Sequence, residues 1–508
     1  MINKWKIIAK IISYLIMIVS RSFDNKVKRK RILIFFLIIV FIYPFLLIWQ
    51  GGDLTDSGYW AFRYASFFKN ILKGQINSLS FFTDFLGALW LKLLPNGEII
   101  GFRVLFAIFT MATAFTTYKM LNELIKNKII LTIGIFCGIT FGLRFTSIFF
   151  AQDIASTFFL MLMSYFLIKH FELNRVSYIF LSGIMFFFSF ITRFPNIVFF
   201  AFLPIILSYH YFYKFDEKKT ILKIKNVVSR YTFFCLGFFL LYGIFFGILS
   251  FNGIWDFYIE DLSKSFSNQN SSYSFFNLLM SYYRDIINFY PHLIIVSLLM
   301  LFLSLLSENT KSKKNRIYLL IPLVLLFLAS ILIYGGFSYK SNIKYFIPAF
   351  CALPLFLSII SKDKFSDAAI ILISIAVTQI AGTNTGFFLK LSYGFIGLIP
   401  LSLIILYKLK VIYFWNLKMP TKPIFFVGIF FILFLSLWST IGTVYHIDRG
   451  LRSRFRCIHP IEHQKMKGII TTDTNADFIK RLTESIENNI KKNNTLFIYG
   501  HVPMLYYL

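Results

Sequence analysis

Apolar runs of membrane-spanning length recur along almost the whole chain, and this repetition limits the fold more than any other feature. A hydrocarbon core about 30 Å thick is crossed by a helix of roughly 20 apolar residues. Windows of about 16–22 such residues fall at roughly 32–49, 100–118, 129–148, 153–168, 177–192, 197–213, 231–250, 291–306, 317–334, 345–360, 367–381, 394–407 and 424–441. Backbone polar groups inside lipid must find partners within their own segment, so each window is expected to be a helix. With 57% hydrophobic residues, 66 Phe and a mean hydropathy of +0.70, a soluble fold would have too little polar surface to show water. The expected fold is all-α: a polytopic membrane protein of about thirteen spans over 32–441. A basic segment, 1–31, precedes it, and a small α/β segment, 442–508, follows on the outer side.

The net charge of +29 suggests nucleic acid until the charges are placed. Cytoplasmic loops collect Lys and Arg. With the N-terminus inside, the inner segments 1–31, 119–128, 169–175, 214–230, 307–316, 361–366 and 408–422 hold 30 of the 52 basic residues. The outer loops hold 12 and the tail from Tyr445 holds 10. The bias alternates in register with the spans, so it is a topology signal and no nucleic-acid partner is expected. Ile7–Val19 carries Lys6, Lys10 and Ser13 on one helical face, with Ile8, Ile11, Ile12 and Leu15 opposite. Lys26–Arg31 follow where a signal peptide would have a cleavage site, so an amphipathic helix on the inner surface is expected. Cys137, Cys235, Cys351 and Cys457 suggest neither a disulfide nor a thiolate metal site.

This topology gathers polar chemistry on one face. Gly51-Gly52-Asp53-Leu54-Thr55-Asp56-Ser57-Gly58-Tyr59-Trp60 follows the first span directly. Carboxylates are costly inside a bilayer but can stay ionised at its surface and act as bases. The same face receives Gln152-Asp153, Thr192-Arg193-Phe194-Pro195-Asn196, the long loop 251–290, Tyr339–Tyr345, Ala381–Gly386 and the tail. The inner loops contain no glycine-rich phosphate loop, so a nucleotide-driven reaction is not expected there.

Thr55-Asp56-Ser57-Gly58-Tyr59-Trp60 with the following Ala61–Gly74, the short apolar stretch Phe81–Leu94, Gly101-Phe102-Arg103, Asp153, Arg193 before Pro195, and Lys344-Tyr345 form an ordered set. In order and sidedness this set resembles the type-C glycosyltransferases, the polytopic superfamily that includes protein O-mannosyltransferases and lipid A aminoarabinose transferases. The resemblance implies transfer of a sugar from a polyprenyl-phosphate donor to an acceptor on a glycan, lipid or protein, at the outer face of a bacterial plasma membrane and without a cofactor. It makes Asp56 the leading catalytic residue, with Asp53 and Asp153 as further candidates. Arg193, Arg103, Arg144 and Lys344 become candidate contacts to the donor phosphate, and Tyr59 and Trp60 to the substrate. Family members often carry Asp-Glu or Asp-x-Asp at the first loop; here Ser57 follows Asp56, so no metal site is implied.

Each residue also has a plainer role. Asp53 and Asp56 suit an ordinary turn, and Asp153 suits a helix N-cap. The three arginines can snorkel to lipid headgroups, and Tyr59 and Trp60 can anchor at the interface. A transporter or flippase for a lipid-linked sugar would carry charge deep in broken spans, whereas these span centres are almost uncharged. A polysaccharide polymerase or ligase would favour a large late loop over an early acidic one. In the tail, Ala476–Lys491 reads as a helix and Asn494–His501 as a strand closing on glycine.

Overall fold

A computed structural model describes residues 26–53, 56–125, 127–145, 148–214, 220–267, 275–309, 339–382, 390–408, 411–414, 417–420, 425, 428–430, 432–433, 436, 453–489 and 504. The amphipathic helix expected at 7–19, the window 317–334 and the strand expected at 494–501 lie outside these residues, as does most of 424–441.

The architecture is all-α, as the apolar pattern requires. The helices are α1 (Lys26–Ile42), α2 (Asp56–Ile71), α3 (Phe81–Leu93), α4 (Glu98–Asn122), α5 (Lys128–Phe145), α6 (Gln152–Leu173) and α7 (Val176–Thr192). They continue with α8 (Phe199–Ser208), α9 (Thr220–Phe251), α10 (Trp255–Ser267), α11 (Phe275–Asn309), α12 (Tyr339–Ser361), α13 (Ser366–Thr378) and α14 (Phe395–Lys408). Each apolar window lying within the described residues is mostly helical; in the first, 32–49, the α-helix stops at Ile42 and a 3₁₀ turn, Phe45–Leu47, follows. Among the described residues, four segments are long and apolar enough to cross a membrane: Glu98–Asn122, Gln152–Leu173, Phe194–Tyr213 and Thr220–Phe251. In Phe194–Tyr213, α8 lies between a 3₁₀ turn (Phe194–Val198) and a π-helical turn (Tyr209–Lys214).

The pairs α6/α7, α7/α9 and α5/α14 pack most extensively. Glycine sets how closely the last two approach. A Cβ on Gly183 would lie 2.0 Å from the Phe234 carbonyl oxygen, and one on Gly237 would lie 2.2 Å from that of Phe180. Small residues at such crossings let helix backbones meet where no water is present to drive association.

Two ends of the bundle are defined by polar contacts. At one, His210 Nδ1 lies 3.1 Å from Asp367 Oδ2, Tyr209 donates to the Ile359 carbonyl at 2.6 Å, and Lys364 donates to the Leu124 carbonyl at 2.8 Å. The ends of α4, α8 and α12 and the start of α13 therefore meet there. At the other end the starts of α4 and α6, the end of α7 and the approach to α14 come together.

The region 251–290, expected as a long loop, is largely helical, forming α10 and the first half of α11. Trp255, Tyr258, Ile259 and Leu262 recur at helical spacing, which gives α10 one apolar face. The segment 408–422, expected as a plain inner loop, contains an antiparallel hairpin of β1 (Val411–Phe414) and β2 (Leu417–Pro420). In the tail a short helix, α15 (Ser453–Arg456), precedes the paired strands β3 (His459–Pro460) and β4 (Ile470–Thr471). The amphipathic helix α16 (Asp473–Asn489) follows, where a polar helix was expected.

Candidate functional site

The tail clasps the acidic loop. Ile470 donates to the Trp49 carbonyl at 2.7 Å, and Gly51 donates back to Ile470 at 2.8 Å. Ile461, Thr471 and Ile479 crowd the space above Gly52, while the backbone of Met504 would lie 2.2 Å from a Cβ on Gly58. From below, Arg103 holds the same turn. Its guanidinium donates to the carbonyls of Ile48 (2.9 Å), Gln50 (3.2 Å) and Gly51 (2.7 Å), and the side chain is buried. A buried guanidinium meeting three carbonyls fixes the course of the chain into α2.

The three candidate carboxylates occupy different surroundings. Asp53 is buried and accepts the Ser57 backbone N–H at 2.7 Å, so it caps the first turn of α2. Asp153, in the first turn of α6, is buried between two cations: Arg193 Nε at 3.0 Å and Lys390 Nζ at 2.6 Å. Asp56 opens α2 and is exposed.

Arg193 ends α7 and is itself only 2% exposed. Besides Asp153 it donates to Asn196 Oδ1 at 2.8 Å and to the Ala381 carbonyl at 2.6 Å, so all three guanidinium nitrogens are engaged. Lys390 is more accessible, with its side chain 16% exposed. Next to this cluster Tyr282 donates to the Ile380 carbonyl and Tyr345 to Asp285, which brings α11 and α12 to the same end. Arg144 falls in the last turn of α5 and Lys344 in the second turn of α12; their side chains lie outside the described residues.

Along α2, Asp56, Tyr59 and Arg63 lie three to four residues apart and so share one face. The Arg63 guanidinium sits over both neighbouring rings, 5.1 Å from that of Tyr59 and 4.8 Å from that of Trp60. It also donates to Ser80 Oγ at 2.8 Å and forms an ion pair with Asp84 of α3. Burial pushes the Asp84 carboxyl up to about 6, against the opposing pull of Arg63. Next to Arg63, Tyr64 is buried and donates to the Phe150 carbonyl at 2.8 Å, tying α2 to the turn that leads into Asp153.

A cleft of about 460 Å³ opens along α2, the turn at 74–77 and α10, and Tyr59, Arg63 and Asp84 are among its lining residues. Arg63, Asp84 and Lys390 were not singled out from sequence. For Asp84 a signal existed, since it is the one acid in the apolar stretch Phe81–Leu94. Arg63 and Lys390 look like ordinary loop cations until their partners are known.

The sequence matches no protein-family model, and no curated protein is significantly similar to it.

Proposed function

We propose that the chain is a membrane glycosyltransferase that moves a sugar from a polyprenyl-phosphate donor to an acceptor hydroxyl or amine at the outer membrane face. The observation that carries this reading is the contrast among the carboxylates. Asp53 and Asp153 are buried, whereas Asp56 is exposed at the head of a helix whose same face bears Tyr59 and Arg63. A general base must reach the proton it removes.

On this reading Asp56 accepts the proton of the acceptor hydroxyl as that oxygen bonds to the anomeric carbon. The bond from the anomeric carbon to the phosphate oxygen breaks, and polyprenyl phosphate leaves with the electron pair. Positive charge near the departing phosphate lowers the barrier. Lys390 is the accessible cation of the buried cluster and suits that contact. Arg193, with its fork engaged, holds Asp153 and the chain at Ala381 in position. Arg103 supports the acidic turn through its carbonyls and so acts on Asp56 indirectly.

The test is donor consumption by the full-length protein in lipid nanodiscs, with polyprenyl-phosphate sugars and a panel of acceptors. Acceptor-dependent loss of donor that disappears in Asp56→Asn supports the proposal. Turnover unchanged by Asp56→Asn removes Asp56 from the chemistry, and no consumption of any donor rejects the reading.

A further inference from the structure

The cleft beside α2 has a composition that selects among ligands. Its walls include Tyr59, Arg63, Asp84, Phe257, Glu260 and Asp261. Its volume of about 460 Å³ lies within the range of small-molecule sites, about 300–1,000 Å³. Phe67 of the lining belongs to a separate apolar cluster with Phe81, Ala88, Leu249 and Tyr258, and Ile71 and Ile76 of the lining pack against that cluster, so this part of the wall stands on a fixed base. Gly74 narrows one side: it has φ +70°, and a Cβ there would lie 2.7 Å from the Phe257 ring. Ser78 N–H and Oγ–H both donate to Asp261 Oδ2 at 2.7 Å, which joins α10 to the turn before α3.

Two features indicate what the cleft accepts. Asp84 is 3% exposed, and its Oδ1 is buried with no hydrogen-bond partner among the described residues. A buried carboxylate oxygen without a donor is costly, and a ligand hydroxyl would relieve that cost. Secondly, both cations of the lining are already matched by carboxylates. Arg63 pairs with Asp84, and Lys264 lies 2.5 Å from Glu260, which leaves Asp261 as surplus negative charge. An anion entering the cleft would meet net repulsion. Aromatic rings beside carboxylate acceptors suit a molecule with apolar C–H faces and many hydroxyl donors.

We infer that this cleft binds an uncharged saccharide, and that in the proposed reaction it holds the acceptor. The second half rests on the glycosyltransferase reading. The acceptor would lie along the α2 face that carries Tyr59 and Arg63. At a rise of about 1.5 Å per residue, Asp56 stands roughly 4.5 Å along the helix from Tyr59, beyond the end of the cleft. A saccharide in the cleft thus points one end toward the proposed base.

The experiment is saturation-transfer NMR on the full-length protein in nanodiscs, with neutral gluco-, galacto- and N-acetylhexosamine oligomers as probes. Glucose 6-phosphate and phosphatidylglycerol are the competitors. At least one neutral oligomer should bind saturably and resist both anions. Phe257→Ala, a change at a partly exposed ring, should weaken binding tenfold or more. Asp84→Asn should weaken it too, while Asp56→Asn leaves it intact. Displacement by either anion, binding that survives Phe257→Ala, or no binding by any oligomer overturns the inference. Asp56-dependent turnover without saccharide binding would remove the cleft and keep the enzyme. Saccharide binding without turnover would keep the cleft and remove the enzyme.

Discussion

Lys390 Nζ lies 2.6 Å from Asp153 Oδ2, closing a contact between residues 237 positions apart. With Arg193 on the other carboxylate oxygen, the start of α6, the end of α7 and the approach to α14 are held by one buried charge cluster. Truncating one member strands its partner in a dry site. Arg193→Met should therefore destabilise the fold by about 3–5 kcal/mol, read as a fall in unfolding temperature in nanodiscs. Lys390→Met, at the more accessible partner, should cost less. Adding Asp153→Asn to Arg193→Met should recover part of the loss, and a double variant as unstable as the additive sum would contradict the pairing.

Asp53 and Asp56 are separable by experiment. Asp53→Ala loses a helix cap and should lower stability by about 1 kcal/mol. Asp56→Asn should leave the unfolding temperature unchanged and reduce turnover by roughly a hundredfold or more. The opposite assignment of effects would move the base to Asp53.

Asp84 gives the structure a defined pH response. Its carboxyl is raised from 3.8 to about 6 by burial, so folding favours the neutral form. That contribution is complete below 3.8 and is lost as pH rises through about 6. Relative to Asp84→Asn, the unfolding temperature of the native protein should drop between about pH 4 and pH 7. A difference that stays flat over this range would mean that Asp84 is already ionised at the acidic end.

The proposed orientation puts α2 outside and the end of α12 inside. The four native cysteines give little background, because Cys137, Cys351 and Cys457 are buried and Cys235 is half-buried. A membrane-impermeant thiol reagent added to intact cells should label Ala65→Cys and spare Ser361→Cys, both at exposed positions. The reverse result would turn the whole scheme over.

Much of the helical layout was legible because apolar length is a strong signal in a chain of this kind. Alternating basic loops place Asp153 and Arg193 on one expected face together with many other residues, but their direct pairing was not legible. The sequence did not reveal that Arg193 would be saturated by Asn196 and Ala381, because those partners depend on how a helix end meets a distant turn. Asp84 was passed over inside a hydrophobic stretch, and its partner Arg63 is 21 residues away on another helix. The helices in 251–290 went unread because polar residues interrupt an apolar face that only periodicity exposes. Arg103, a candidate contact to the donor phosphate from its place at the start of a span, also donates three N–H groups to the carbonyls of Ile48, Gln50 and Gly51, partners that lie about fifty residues away and leave no mark in the local sequence.

The tail's hold on the first acidic turn sets an order of events during synthesis. Gln50 and Ile470 form a β-bridge although 420 residues separate them. At about 5–20 residues per second, the ribosome needs roughly 20–80 s to travel from one to the other. Early in that interval Arg103 becomes available to support the turn bearing Asp53, but the strand contact that Ile470 makes to Trp49 and Gly51 comes only at its end. The candidate catalytic loop is therefore completed only after Ile470 has been made, long after its own residues.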